Sequence, residues 1–101
     1  MRTYVLSRGA EQDLDQIWNY IALDNIDAAD RWIENLFDAF ELLAQTPGMG
    51  HTRVDLTGFP VLFWPVGAYL VVYRWHDERL EIIAVTQGTR DIPTFLSQRG
   101  Q

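Results

Sequence analysis

The chain has 101 residues, 48% of them hydrophobic and 13% aromatic, which suits one folded domain across residues 1–101 and is well above what disordered chains show. Fourteen acidic residues outweigh eight basic ones, every one an arginine, for a formal charge of −6, and there is no cysteine. That balance argues against direct nucleic-acid binding, and the missing thiols exclude a disulfide framework and thiolate chemistry.

The opening Met1–Ser7 lacks the apolar core of a signal peptide, and no run reaches membrane-spanning length. A cytoplasmic protein with no membrane contact is therefore expected. Thr3 to Leu6 reads as a short first strand. Ser7 is placed to cap a helix running to about Leu23, with Glu11 and Asp13 near its positive end. Ala10, Leu14, Ile17, Trp18 and Ile21 share one face of that helix. A second helix is expected from Asn25 or Asp27 to Gln45, with Ala29, Ile33, Leu36, Phe40 and Leu43 as its apolar stripe. Pro47-Gly48 stops it. Two helices so close in sequence make an antiparallel hairpin, and each must bury its stripe on another layer.

Three strands supply that layer: about Phe59–Trp64, Ala68–Trp75 and Leu80–Thr86, joined by short turns and hence antiparallel. In the middle strand Tyr69, Val71, Tyr73 and Trp75 alternate with Leu70, Val72 and Arg74. Both faces are apolar. One can cover the helix hairpin, and a short C-terminal helix from about Ile92 to Gln98 covers part of the other. The expected fold is α+β, a two-helix hairpin on a small antiparallel sheet.

Several residues are candidates for contact or chemistry. Arg90-Asp91 follows Gly88, which lets the chain turn sharply and sets Arg90 at the rim of the sheet. Arg90 is open to three roles: pairing with Asp91 or Glu11, contact with a partner, or catalysis. Arg74, on an otherwise apolar face, needs a carboxylate, either Glu81 on the next strand or one from another chain. Tyr73 reads as a core aromatic. His51 and His76 fall in polar or Gly-rich loops without companions, so neither a titrating pair nor a zinc site is expected. Asp13 and Asp15 point to different helix faces, and Asp24, Asp27 and Asp30 surround a helix start, where the dipole stabilises negative charge. The run Phe59-Pro60-Val61-Leu62-Phe63-Trp64-Pro65 reads as an edge strand, covered by oligomerisation, a partner segment or the core itself.

The stretch from Pro65-Val66-Gly67-Ala68-Tyr69 through Gly88-Thr89-Arg90-Asp91, with Leu14-Asp15-Gln16-Ile17-Trp18-Asn19-Tyr20-Ile21 and Pro47-Gly48-Met49-Gly50, resembles the ParE/RelE toxins of bacterial type II toxin–antitoxin modules, closer to ParE. The likeness covers about residues 3–96 and implies that α+β fold. It implies a toxin that inhibits DNA gyrase by binding, neutralised by a ParD-like antitoxin, with no cofactor, no metal and no catalytic residue. Under the RelE-type alternative, a ribosome-dependent mRNA endonuclease, Arg90 stabilises charge on the scissile phosphate. A third alternative is a degenerate member that keeps the antitoxin and has lost toxicity. The antitoxin or target is expected at Arg53, Phe63, Trp64, Leu70, Val72, Arg74 and Arg90. The pattern is broken at Leu62, Ala84 and Gln87, where ParE-like chains usually carry Arg, Arg and His. Against RelE-type chains, basic residues are missing near Leu62, Trp64 and Leu70, and the C-terminal Tyr falls near Leu96.

Overall fold

The computed structural model describes residues 4–99. In chain order it holds strand β1 (Tyr4–Leu6), helix α1 (Arg8–Ala22), helix α2 (Ile26–Gln45), a 3-10 turn (Pro47–Met49), strands β2 (Leu62–Val66), β3 (Tyr69–His76) and β4 (Arg79–Gln87), and helix α3 (Ile92–Gln98). The fold is α+β. The strands lie in the order β1-β4-β3-β2, with β2, β3 and β4 antiparallel and β1 parallel to β4. The added parallel pair makes the sheet mixed. Thr3, expected to open β1, lies outside the described residues.

Side-chain caps set the helix starts. Ser7 accepts the Ala10 N–H at 3.0 Å, and Asn25 accepts that of Ala28 at 2.9 Å. Ser7 also locks β1 to the sheet, donating its N–H to the Ile82 carbonyl at 3.0 Å and its hydroxyl to that of Ile83 at 2.8 Å. It serves the last pairing of β1 and the first turn of α1 together.

Each face of the sheet carries a core. On one, Ala10, Leu14 and Ile17 of α1 and Leu36, Phe40 and Leu43 of α2 pack on Tyr69, Val71, Tyr73, Leu80, Ile82 and Val85. Ile33, Trp18 and Ile21 of the expected stripes come to the margin, where the Trp18 indole donates to Asp30 at 2.8 Å and ties the hairpin together. Trp75 is half exposed. On the other face Phe95, Leu96 and Ile92 of α3 and Val61 of the preceding loop cover Phe63, Val72, Ile83 and Ala84.

A bulge makes this division possible. Val72 pairs with Ala84 but Tyr73 with Ile82, so Ile83 is an extra residue in β4. Ile83 and Ala84 both reach the α3 core, while Leu80, Ile82 and Val85 serve the helix hairpin.

β2 begins at Leu62, three residues later than Phe59, and runs through Pro65 to Val66. Pro65 is tolerated because β2 is an edge strand. Phe63 exchanges both backbone hydrogen bonds with His51, at 2.9 and 2.8 Å, on the outer side of that edge. Two-residue alternation turns Pro65, which has no N–H, to the same side. The outer edge of β2 is closed.

Candidate functional site

A polar concavity opens where β1 ends and β4 continues alone. Beyond Ile82 the free side of β4 is served by side chains of α1. Ser7 takes the Ile83 carbonyl, and the Asp13 carboxylate accepts the Val85 N–H at 3.0 Å. Asp13 is 6% exposed, and its other oxygen pairs with the Arg99 guanidinium at the end of α3. One carboxylate thus joins α1, β4 and the last helix. The sequence places Asp13 near the positive end of α1 without assigning it a partner, and its role as a buried tie is added by the structure. The available signal was position: Asp13 lies between Ala10 and Leu14 on the buried stripe.

β4 leaves the sheet through a tight turn. Gly88 donates to the Ala68 carbonyl at 2.9 Å, and the Arg90 N–H donates to that of Gln87 at 3.1 Å. Asp91 then caps α3, accepting the Thr94 hydroxyl at 2.8 Å. The turn sets the Arg90 guanidinium 4.8 Å from the centre of the Phe95 ring, and Arg99 lies 4.6 Å from the same ring. Arg99 is charge-compensated by Asp13. Arg90 is exposed and, among the described residues, makes no ion pair. Asp13, Gln16 and Tyr20 of α1, Tyr69 of β3, Thr86 and Gln87 of β4, Arg90 and Phe95 enclose a cleft of about 150 Å³. Burial, with the neighbouring Tyr20 adding to it, raises the Tyr69 phenol above its ordinary pKa, so it stays a neutral hydroxyl.

The remaining expected residues do not form one patch. Arg53 is exposed and grips Asp55 through two bonds of 2.9 and 2.7 Å, which lower the carboxyl pKa of Asp55 and raise that of Arg53. Arg74 pairs with Glu81 at 3.1 Å, and both are about one-third exposed. An intramolecular carboxylate thus meets the need inferred for Arg74. Leu70 is partly buried beside the α3 core. Phe63 and Val72 are core residues, closed off beneath α3 and the loop before β2, which for Val72 corrects its placement on an uncovered face. Trp64 lies on the opposite face from Phe63, and His51 stacks on it with ring centres 6.3 Å apart. Arg90 lies at the Gln87 end of β4, while Arg74 and Glu81 lie toward its start.

The cleft offers one uncompensated cation, amides and phenols. Neither histidine reaches it: His51 borders β2, and His76 is held by Asp77 in the β3–β4 turn, 3.3 Å away. Among the described residues, no three of His, Cys, Asp and Glu gather as metal ligands, and no helix is long and apolar enough to cross a membrane. Of the three broken positions, Gln87 lines the cleft, Leu62 packs against the helix-hairpin core, and Ala84 is fully buried beneath α3. An arginine at Ala84 would have no room with α3 in this position.

Comparison with known proteins agrees with this architecture. The chain is 32% identical over 83 residues to Toxin ParE1 of Caulobacter vibrioides, covering 73% of this chain and 86% of that protein. A solved structure described as the chromosomal ParDE toxin–antitoxin system from P. aeruginosa superposes with a TM-score of 0.71, covering 86% of this chain and 96% of that one at 19% identity. That second likeness is one of fold. The model of the family described as ParE toxin of type II toxin-antitoxin system, parDE, matches residues 4–92, and the chain belongs to this family.

Proposed function

We propose that the chain is a binding toxin that acts in the cytoplasm, inhibits DNA gyrase by contact and is neutralised by a cognate ParD-like antitoxin. The observation that carries this reading is the setting of Arg90. Its guanidinium lies against Phe95 beside amides and phenols, with no histidine to exchange a proton near neutral pH. Such a group suits recognition better than acid–base chemistry.

In this reading the antitoxin's apolar side chains lie over Leu70 and along the helix hairpin, and its carboxylates reach Arg53, Arg74 or Arg90. Arg53 and Arg74 already hold carboxylates of their own, so a partner must displace Asp55 or Glu81 there. Arg90 requires no displacement. The net charge of −6 disfavours long-range attraction to an acidic partner, so the pairing is local and its salt dependence modest. The accessibility of Arg90 also supports a second reading, a ribosome-dependent mRNA endonuclease. The buried Ala84 supports a third, a member that keeps its antitoxin but has lost toxicity.

Expression of the chain alone in a bacterium, followed by assays for gyrase-dependent DNA breaks and for mRNA cleavage, separates the three. DNA breaks without mRNA cleavage are expected. Cleavage of ribosome-bound mRNA that Arg90→Ala lowers by about a hundredfold or more, on the order of 3 kcal/mol of transition-state stabilisation, would overturn the binding reading. Neither lesion, with antitoxin binding intact, would establish the third.

A further inference from the structure

We propose that the cleft between α1, the end of β4 and the β4–α3 turn is a binding site for one monoanionic carboxylate, with Arg90 as its anchor. Three observations converge on it. First, Arg90 is held against Phe95 and, among the described residues, has no counter-charge of its own. A guanidinium presents a planar fork of donors that matches a carboxylate.

Second, the cleft has donors to spare. Thr86 is 4% exposed, and its hydroxyl has no hydrogen-bond partner among the described residues. The Val85 N–H goes to Asp13, and strand alternation turns the Gln87 N–H toward the same open side of β4. Gln16 and Tyr20 add neutral donors from α1.

Third, the one carboxylate in the wall is already spoken for. Asp13 is bound by Arg99 and by the Val85 N–H, so it opposes an incoming anion far less than a free acid would. With one uncompensated cation lining the cleft and a net charge of −6 on the chain, the balance suits a single negative charge and disfavours a dianion such as phosphate. About 150 Å³ accommodates a carboxylate and a short aliphatic stem.

The carboxylate comes either from a free small acid or from an Asp or Glu side chain of a bound peptide. Only the peptide source rests on the antitoxin reading above. The site chemistry stands without it, and small molecules test it separately.

The 101-residue chain is titrated with sodium acetate, inorganic phosphate and N-acetyl-glutamate N-methylamide at constant ionic strength, while backbone amide and arginine Nε–H resonances are followed by NMR. Saturable millimolar shifts confined to Thr86, Gln87, Arg90 and the facing turn of α1 are expected with acetate, and weaker ones with phosphate. Arg90→Gln should weaken acetate binding about tenfold or more. Gln16→Glu, which places a second acid in the cleft and leaves both cores intact, should also weaken it. Tighter binding of the blocked glutamate than of acetate assigns the site to a peptide side chain, and the reverse assigns it to a free acid. Absence of saturable shifts, equal shifts in Arg90→Gln, or a preference for phosphate overturns the proposal. A negative result here combined with gyrase-dependent DNA breaks in cells would remove the carboxylate site and leave the toxin reading standing.

Discussion

Asp13 and Arg99, 86 residues apart in sequence, form an ion pair that fastens the end of α3 to the first helix. The same carboxylate stands in for a missing neighbour strand by taking the Val85 N–H. Arg99 also packs so closely over Gly9 that a Cβ there would collide with the guanidinium. The contact fixes α3 on the second core and, through Phe95, positions Arg90.

Removing the Asp13 carboxylate therefore leaves a backbone donor and a partly buried cation without their acceptor. Asp13→Ala should cost about 3 kcal/mol, the size expected when one side of a buried pair is deleted. Asp13→Asn keeps an acceptor for Val85 and should cost about 1–2 kcal/mol. Urea denaturation of the two variants measures both. Equal losses would mean that the Val85 contact contributes little.

The helix-hairpin core offers a comparison of depth. Leu36 is fully buried, whereas Ile33 reaches only the margin. Leu36→Ala should cost about 2–5 kcal/mol and Ile33→Ala about 1 kcal/mol, because a half-solvated site loses less apolar burial and leaves no closed cavity. Comparable losses at the two positions would show that α2 is rotated about its axis relative to the packing described.

The β3–β4 turn carries strain that substitution can relieve. Asp77 and Glu78 have φ of 50° and 62°, a left-handed pair in a two-residue hairpin turn. Glycine adopts that geometry without the steric cost borne by glutamate, and asparagine tolerates it better than most residues. The double change Asp77→Asn and Glu78→Gly should stabilise the fold by about 1 kcal/mol, read as a raised thermal midpoint. A lowered midpoint would mean that the contact of Asp77 with His76 outweighs the strain.

Alkaline stability should depend on Tyr73. Its buried hydroxyl donates to the Pro47 carbonyl at 2.7 Å and accepts the Gly50 N–H at 2.8 Å. Burial raises its pKa above the ordinary 10.0, and the Gly50 N–H offsets part of that rise. The folded state therefore holds this proton at pH values where the unfolded chain has released it. The resulting stability is complete below about pH 10 and is lost as pH climbs toward the folded-state pKa. Denaturation between pH 8 and 11 should show this decline, and Tyr73→Phe should flatten it while lowering stability at pH 7 by about 1–2 kcal/mol. A variant with the wild-type slope would shift the effect to Tyr69, whose pKa burial also raises.

Much of this arrangement was legible in the residues. Leu14, Ile17, Leu36, Phe40 and Leu43 repeat at helical spacing, and the alternation of Tyr69, Val71 and Tyr73 with Leu70 and Val72 marks two working faces. Two features were hidden. The bulge at Ile83 shifts the phase of β4 within an unbroken apolar run, so alternation alone could not assign Ile83 and Ala84 to one face. Asp13 was hidden by its charge, since an acid near a helix start is ordinarily solvated. Its burial depends on Arg99, which no local pattern connects to it. For the site, Arg90 was visible as a rim residue, while the cleft around it depends on where β1 stops. The three residues Tyr4, Val5 and Leu6 do not encode that limit alone.

The closed edge of β2 has a consequence for recognition. A bare strand edge accepts almost any extended segment, because main-chain ladders are indifferent to the side chains they carry. With His51 occupying Phe63 and Pro65 offering no donor, that indiscriminate mode is unavailable on this side. Visitors there are judged by shape and charge alone. In a crowded cell, such a surface favours fidelity to one partner over adhesion to many.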